Sequence, residues 1–111
     1  MTNLEIAKAI ARIAIKNGEE KNLDLLTEEC AELIQAVSKY KRTGNKYPMA
    51  EEMADVYITL TENLITLDLD KKVMEIVDFK IVRTLEKMAE QTEDDISQFF
   101  DRLMKRFTEV R

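Results

Sequence analysis

The sequence is poor in residues that break helices, and it lacks a side chain that many active sites use. It has two Gly and one Pro in 111 residues, which leaves little room for the tight turns of a sheet-rich fold. It has no His, the commonest general base and a common ligand of zinc and iron. The single cysteine, Cys30, excludes an internal disulfide and a cysteine zinc cluster. Any metal ion is therefore expected to be held by oxygen ligands.

Long apolar runs and basic clusters are also missing. No stretch reaches the roughly 18 apolar residues that span a membrane, and the N-terminus lacks the basic start and apolar run of a signal peptide. The net charge is −5, with Lys and Arg interspersed among the acids, so no basic stripe indicates a nucleic-acid surface. We therefore expect a cytoplasmic protein that binds neither membrane nor nucleic acid.

Apolar residues recur at helical spacing in five segments separated by turn signals. This pattern predicts an all-α fold: a four-helix-type bundle followed by a C-terminal amphipathic helix. The first predicted helix runs from a Thr2–Glu5 capping box to Asn17–Gly18, and the second runs from about 23 to 40 behind an Asn22 cap. The third runs from Pro48 to about Leu67 after a polar loop at 41–47. The fourth runs from about Lys71 to Ala89, and the fifth begins at Thr92.

Each of the five predicted helices carries an apolar stripe that predicts a buried face. The stripe of the second helix consists of Leu26, Cys30, Leu33, Val37 and Tyr40. In the last helix the stripe has two interpretations, core packing within the subunit or burial against a second subunit. The stripes consist of Met49, Met53, Val56, Leu60, Leu64 and Leu67 in the third helix, of Val73, Ile76, Val77, Ile81 and Leu85 in the fourth, and of Ile96, Phe99, Phe100, Leu103, Met104, Phe107 and Val110 in the fifth.

Paired acids lie beside the apolar stripes of the second and third helices. Glu29 and Glu32 are three residues apart, as are Glu52 and Asp55, so each pair lies about one turn apart on its helix. If the helices pack antiparallel, the four carboxylates converge and repel each other unless protons or cations neutralise them. Mg²⁺ and Mn²⁺ prefer such oxygen ligands. The alternative, for either pair taken alone, is a solvated helix face.

Two basic residues on the fourth helix stand close to its apolar stripe. Lys80 falls near the centre of the stripe and Arg83 lies one turn later, at its edge. Both can meet phosphate oxygens beside a metal ion. An ion pair with the acidic helices is the alternative, and snorkelling of the lysine toward solvent is another.

The two acidic motifs together resemble those of the MazG-like, all-α nucleoside triphosphate pyrophosphohydrolases. That family carries Glu-Glu-x-x-Glu on one helix, here Glu28 to Glu32, and Glu-x-x-Asp on the next, here Glu52 to Asp55. The resemblance covers roughly residues 1 to 90. It makes 1–91 a catalytic helical domain and leaves 92–111 as a helix for packing or oligomer contact.

The resemblance implies a helical bundle that assembles as a dimer or a dimer of dimers. It implies Mg²⁺-dependent hydrolysis of an NTP or dNTP to the monophosphate and pyrophosphate, with Mn²⁺ as a possible substitute. Lys80 and Arg83 would contact phosphate, and Glu28 would be a supporting group or the base that orients water. The implied metal ligands are Glu29, Glu32, Glu52 and Asp55.

One feature of some relatives is missing, because this chain has no Trp to stack on the base. Tyr40, Tyr47 and Tyr57 are the aromatic candidates, Tyr47 being the best placed in a loop. The base and sugar of the substrate therefore stay open. The rival interpretation is a non-enzymatic helical-bundle interaction protein with a residual acidic metal or nucleotide site.

Overall fold

The protein, described here by a computed structural model, is built from helices. The structure describes residues 1–88 and 93–108, and every regular element in these ranges is an α-helix. This confirms the all-α class. The predictions for Ala89, Thr92 and Val110, and for the packing of Phe107, lie outside the described residues. The helices are α1 (Asn3–Asn17), α2 (Glu19–Thr43), α3 (Tyr47–Thr66), α4 (Asp70–Lys87) and α5 (Glu93–Thr108).

Helix ends follow local sequence signals. The predicted capping box is confirmed, because the Glu5 backbone N–H donates to Thr2 Oγ1 at 3.1 Å and the Thr2 N–H donates to Glu5 Oε1 at 3.1 Å. Gly44 closes α2 in the left-handed conformation (φ 74°), and its N–H donates to the Tyr40 carbonyl oxygen. Pro48 lies in the first turn of α3, where its missing N–H has no intrahelical partner to lose.

The predicted start of α2 was wrong. The helix begins at Glu19, directly after Gly18, so Asn22 lies inside it and does not cap it. Acidic residues at 19 and 20 suit the positive end of the helix dipole, which explains the earlier start. The same helix continues to Thr43, so the polar loop before α3 shrinks to residues 44–46.

Among the described helices, α2 and α3 make the most extensive contact, and α1 packs mainly on α3. Residues near the start of α2 meet the end of α3, since Asn63 Nδ2 donates to the Asn22 carbonyl oxygen at 2.8 Å. The two helices are therefore antiparallel. The core of the described part contains three buried apolar side chains, Ile10, Ala14 and Ala36.

The buried face of α3 is not the apolar stripe that was predicted. Met53 and Leu60 are 50% and 45% exposed, whereas Thr59, Glu62 and Asn63 are buried. These polar residues lie on the side that packs against α2. The apolar stripe instead lies beside this face, where the chain leaves it half-covered.

Helices α4 and α5 find no closely packed partner within the described part of the chain. No residue of α4 is buried, and Phe79 is 65% exposed. On α5, Phe99 is 67% exposed. The predicted packing of the α4 stripe was therefore wrong for the single chain. The described apolar residues of α5 are likewise exposed in the single chain, and its packing or oligomer contact stays a prediction.

A buried amide pair fastens the antiparallel helices at one end. Asn22 Nδ2 donates to the Ala14 carbonyl oxygen and to Thr66 Oγ1, both at 3.0 Å, which ties α2 to α1 and to α3. Asn63 Nδ2 donates to the carbonyl oxygens of Asn22 and Thr59 at 2.8 and 2.7 Å. Asn22 is fully buried, so its bonds form away from water and are worth more than exposed ones.

Replacing this amide should loosen the three-helix junction. We expect Asn22→Ala to lower the free energy of unfolding by about 1–2 kcal/mol, because two buried hydrogen bonds are lost. Urea unfolding followed by circular dichroism measures the change. Gln35→Ala, at an exposed position of the same helix, is the matched control and should shift stability by less than about 0.5 kcal/mol. Equal effects of the two changes would contradict the role of Asn22.

Candidate metal centre

Four carboxylates converge where α2 crosses α3. Each of the four residues offers one carboxylate oxygen, and these oxygens all lie within 4.8 Å of one another. The antiparallel packing of the helices produces this arrangement, because each helix presents an acidic pair with one-turn spacing to the other. The structure thus brings together the residues singled out from the sequence, which form the carboxylate cluster: Glu29, Glu32, Glu52 and Asp55.

The cluster combines partial burial with missing partners. Glu29 and Glu52 are half-buried, while Glu32 and Asp55 are exposed. Glu29 Oε2 and Glu52 Oε2 are shielded from solvent and accept no hydrogen bond from the described residues. An acceptor in that state has lost hydration that no hydrogen bond replaces. The arrangement calls for a positively charged or proton-donating group from outside the chain.

The pKa values of Glu29 and Glu52 reflect their partial burial and the missing hydrogen-bond partners. Burial, followed by the charges of Glu32 and Asp55, raises the pKa of Glu29 to about 7. Burial also raises the pKa of Glu52, with further contributions from nearby Glu32 and Asp55. Negative charge in this position is therefore disfavoured until something compensates for it.

The donor set suits a hard divalent cation. All four donors are carboxylate oxygens, the ligands that Mg²⁺ and Mn²⁺ prefer, with no imidazole or thiolate among them. The two exposed members leave one side of the cluster open to water or to a ligand. The unpartnered oxygens of Glu29 and Glu52 are acceptors that such a cation would satisfy.

One supporting residue was missed from the sequence. Thr59 is buried, and its hydroxyl donates to the carbonyl oxygen of Asp55 at 3.0 Å. It lies one turn after Asp55, on the side of α3 that faces α2. A threonine four residues after an acidic motif was a signal available in the sequence, but Thr often makes this bond in ordinary helices.

The remaining predicted site residues lie apart from the cluster. Glu28 is exposed beside Glu29 and does not belong to the converging group. Lys80 and Arg83 are exposed on α4, and the Arg83 guanidinium lies 5.7 Å from the centroid of the Phe79 ring. Within residues 1–88 and 93–108 no ion pair joins either cation to the cluster, so the alternative of a direct ion pair with the acidic helices was wrong.

The fold and the cluster together define an all-α protein with a carboxylate site suited to a divalent cation. Comparison with protein families gives a more specific assignment, because the MazG nucleotide pyrophosphohydrolase domain matches residues 17–94. The chain belongs to this family. The match covers α2, α3 and α4 and begins at the last residue of α1, so it starts later than the resemblance read from the sequence.

The other comparisons add no relative. Neither the curated proteins nor the solved structures contain a match to this chain. Among the described helices, none has the length and apolar character needed to cross a membrane. The family assignment therefore rests on the domain match and is consistent with the geometry of the carboxylate cluster.

The raised pKa values predict an unusual pH dependence of stability. Between its ordinary value of 4.5 and about 7, Glu29 binds more protons in the folded chain than in the unfolded one. The free energy of unfolding of the metal-free protein should therefore fall as the pH rises through this window. We expect a lower Tm at about pH 8 than at about pH 5, measured by calorimetry with EDTA present.

Two controls make this pH test specific. Glu29→Gln should flatten the decline, whereas Glu20→Gln, at an exposed position near the start of α2 outside the cluster, should preserve it. Mg²⁺ should raise Tm more at the higher pH, because the cation competes with protons for the same oxygens. A Tm that is unaffected by Mg²⁺ at both pH values would argue against a cation site.

Proposed function

We propose that the protein is a Mg²⁺-dependent nucleotide pyrophosphohydrolase that converts an NTP or dNTP to the monophosphate and pyrophosphate. The observation that carries the proposal is the convergence of four carboxylate oxygens within 4.8 Å of one another, inside the region that matches the MazG domain. Neither observation alone would be enough, since exposed acidic groups are common and family membership does not guarantee turnover.

In this proposal the carboxylate cluster holds Mg²⁺, for which Mn²⁺ can substitute. A triphosphate is highly anionic, so the cluster without a cation would repel it. When bound, the cation would supply positive charge for phosphate oxygens and would lower the pKa of water, which removes the need for a histidine. Glu29 and Glu52 would hold the cation through their shielded oxygens, and the exposed Glu32 and Asp55 would complete the ligand set.

Glu28 is proposed as the base that orients the attacking water. It lies next to Glu29 on α2 but on the exposed side, where its carboxylate can accept a proton. The water oxygen forms a bond to the α-phosphorus, and the bond from that phosphorus to the bridging oxygen breaks. Pyrophosphate leaves with the bonding electron pair.

Lys80 and Arg83 are proposed to bind the phosphates that leave. Both are exposed, and neither is engaged by a carboxylate among the described residues, so their charge is available to an anionic ligand. A cation at the leaving pyrophosphate stabilises the charge that develops there. Arg83 is partly fixed by its contact with Phe79.

Two further parts of the proposal concern the setting of the enzyme. We propose a homo-oligomer, a dimer or a tetramer, in which 1–91 forms the catalytic unit and 92–111 contributes packing or oligomer contact. We also propose the cytoplasm as its compartment, which is consistent with the free thiol of Cys30.

Turnover should depend on the divalent cation and on the cluster. We expect purified protein to release pyrophosphate from at least one member of an NTP and dNTP panel with Mg²⁺ or Mn²⁺, and none with EDTA. Glu32→Gln and Asp55→Asn should each lower kcat/KM by about 100-fold or more, because even groups behind metal ligands contribute 10- to 100-fold. Their far-ultraviolet circular dichroism should be unchanged.

The control for these variants is Glu20→Gln, which changes an exposed acid near the start of α2 outside the cluster and should leave turnover intact. A complete panel without turnover, from a protein that still binds Mg²⁺ in calorimetry, would favour the non-enzymatic binding protein instead. Full activity in either cluster variant would remove that residue from the site.

The phosphate role of Lys80 predicts a binding defect. We expect Lys80→Ala to raise KM by about 10-fold, since a charge-assisted hydrogen bond is worth about 1.5–3 kcal/mol. Lys87→Ala, which removes another basic residue from α4, should leave KM unchanged. Steady-state kinetics with pyrophosphate detection measures both. Unchanged kinetics in the Lys80 variant would refute the role.

A further inference from the structure

Positive charge is concentrated at the tip of the hairpin that α2 and α3 form. No acidic residue occurs between Glu32 and Glu51, whereas the same stretch contains four basic residues. All four are exposed, and no ion pair joins any of them to a carboxylate within residues 1–88 and 93–108. Their charge is therefore available to a ligand from outside the chain. We call them the basic tip, which consists of Lys39, Lys41, Arg42 and Lys46.

The other end of the hairpin has the opposite sign. Residues 19–28 of α2 include four acids and one lysine, and residues 56–69, at the end of α3 and just beyond it, include two acids and no basic residue. The carboxylate cluster lies between the two ends. A polyphosphate chain bound at the cluster would be repelled by the acidic end and attracted by the basic one. Its tail should therefore run toward the basic tip.

Lys39 is the member of the basic tip that shares an edge of α2 with the cluster. It follows Glu32 by seven residues, which places it about 10 Å farther along the helix and about 20° away around it. Both residues are exposed, so the open side of the cluster continues into the surface that carries the lysine. Long side chains on a helix lean toward its N-terminus, which directs Lys39 back toward Glu32.

We propose that Lys39 binds the terminal phosphate of a nucleoside triphosphate whose α-phosphate lies at the carboxylate cluster. The inference rests on the proposed function and deepens it, because it gives the site a means of distinguishing triphosphates from diphosphates. A diphosphate held at the same point is one phosphate shorter and does not reach the lysine. Only the longer chain brings phosphate oxygens to the ammonium group, which donates a charge-assisted hydrogen bond to them.

The position of Lys39 does not depend on helix α4. Lys80 and Arg83 are proposed to bind the leaving phosphates, but α4 makes no extensive contact with α2 or α3 in the described part of the chain. Lys39 lies on the same helix as Glu29 and Glu32, so the helix itself fixes its distance from the cluster. The chain thus places this cation relative to the carboxylates without any further contact.

A long polyanion fits this surface less well than a single nucleotide. The whole chain has a net charge of −5 and residues 33–50 carry +4, so the remaining residues carry −9. A nucleic-acid strand would extend from the basic tip onto these acidic surfaces, where it would be repelled. A triphosphate is short enough to stay between the cluster and the tip. The distribution of charge therefore favours a single nucleotide.

Steady-state kinetics should show the loss of the terminal contact. We expect Lys39→Gln to raise KM for the triphosphate by about 10-fold, the effect of losing one charge-assisted hydrogen bond, with kcat nearly unchanged. Lys39→Arg, which keeps the charge, should recover most of the loss. The matched control is Lys41→Gln, because it removes the same charge on the side of α2 opposite Glu32, about 180° around the helix. This control should leave KM unchanged, and an equal defect in it would overturn the proposal.

Equilibrium binding measures the same contact without turnover. In calorimetry with excess Mg²⁺, Lys39→Gln should bind inorganic tripolyphosphate about 10-fold more weakly than the unsubstituted protein does. Inorganic pyrophosphate, which is one phosphate shorter, should bind to both proteins about equally well. Equal losses for the two anions would indicate a general effect of charge and would overturn the assignment to the terminal phosphate. Tight binding of a single-stranded oligonucleotide without Mg²⁺, lost in Lys39→Gln, would also overturn it.

The two measurements separate this inference from the proposed hydrolysis. A protein that hydrolyses no nucleotide but shows the expected difference between tripolyphosphate and pyrophosphate would support the role of Lys39 and contradict the proposed reaction. Hydrolysis with unchanged KM and unchanged tripolyphosphate affinity in Lys39→Gln would leave the reaction standing and overturn the role of the lysine.

Discussion

Four carboxylates repel one another across the α2–α3 contact. The rest of the structure has to hold these two helices together against that repulsion. The carboxylate oxygens lie within 4.8 Å of one another, at the most extensive contact between described helices. Like charges this close repel each other more strongly in a partly shielded site than in water, so the α2–α3 contact forms against this repulsion. The cost has a chemical use, since the same arrangement attracts a divalent cation.

The polar junction formed by Asn22 and Asn63 offsets this repulsion. It lies about two helical turns, roughly 10 Å, from the cluster along the same helix pair, and its four side-chain donor bonds measure 2.7–3.0 Å. Ala36, buried on α2, is too small to hold the helices apart. Stability is thus concentrated beside the site, a common pattern where a functional cluster is itself destabilising.

Sequence reasoning succeeded where the signal was local. The spacing of the two acidic pairs placed each on one helix face, and antiparallel packing then brought them together as expected. The capping box at Thr2 was likewise local. Sequence reasoning failed for Asn22, which has the residue type of a helix cap but lies inside α2. The helix begins earlier, at Glu19, directly after Gly18 and with two glutamates in its first turn.

The other failures concern what an apolar face packs against. Periodicity in α3 predicted burial of the methionine and leucine stripe, yet the face toward α2 is polar and carries Glu62 and Asn63. A hydrophobic period indicates that a helix face is buried in some contact, but it does not identify the element that the face packs against. In α4 the stripe exists as predicted and stays uncovered in the single chain, so tertiary contacts within one subunit could not have validated it.

The apolar stripe that is left exposed in the single chain and the lysine proposed to bind phosphate lie on the same helix, α4. Lys80 lies at the edge of the apolar stripe of α4, so packing of that stripe in the proposed homo-oligomer would fix the rotation of the helix and the direction of the lysine. On α3, Ala54 lines the apolar groove between α1, α3 and α5 and directly precedes Asp55 of the carboxylate cluster. A contact formed at this groove would therefore bear on the surroundings of the cluster as well as on the stability of the assembly. A substitution in the stripe, unlike one in the cluster, would act on assembly first and on turnover only as a consequence.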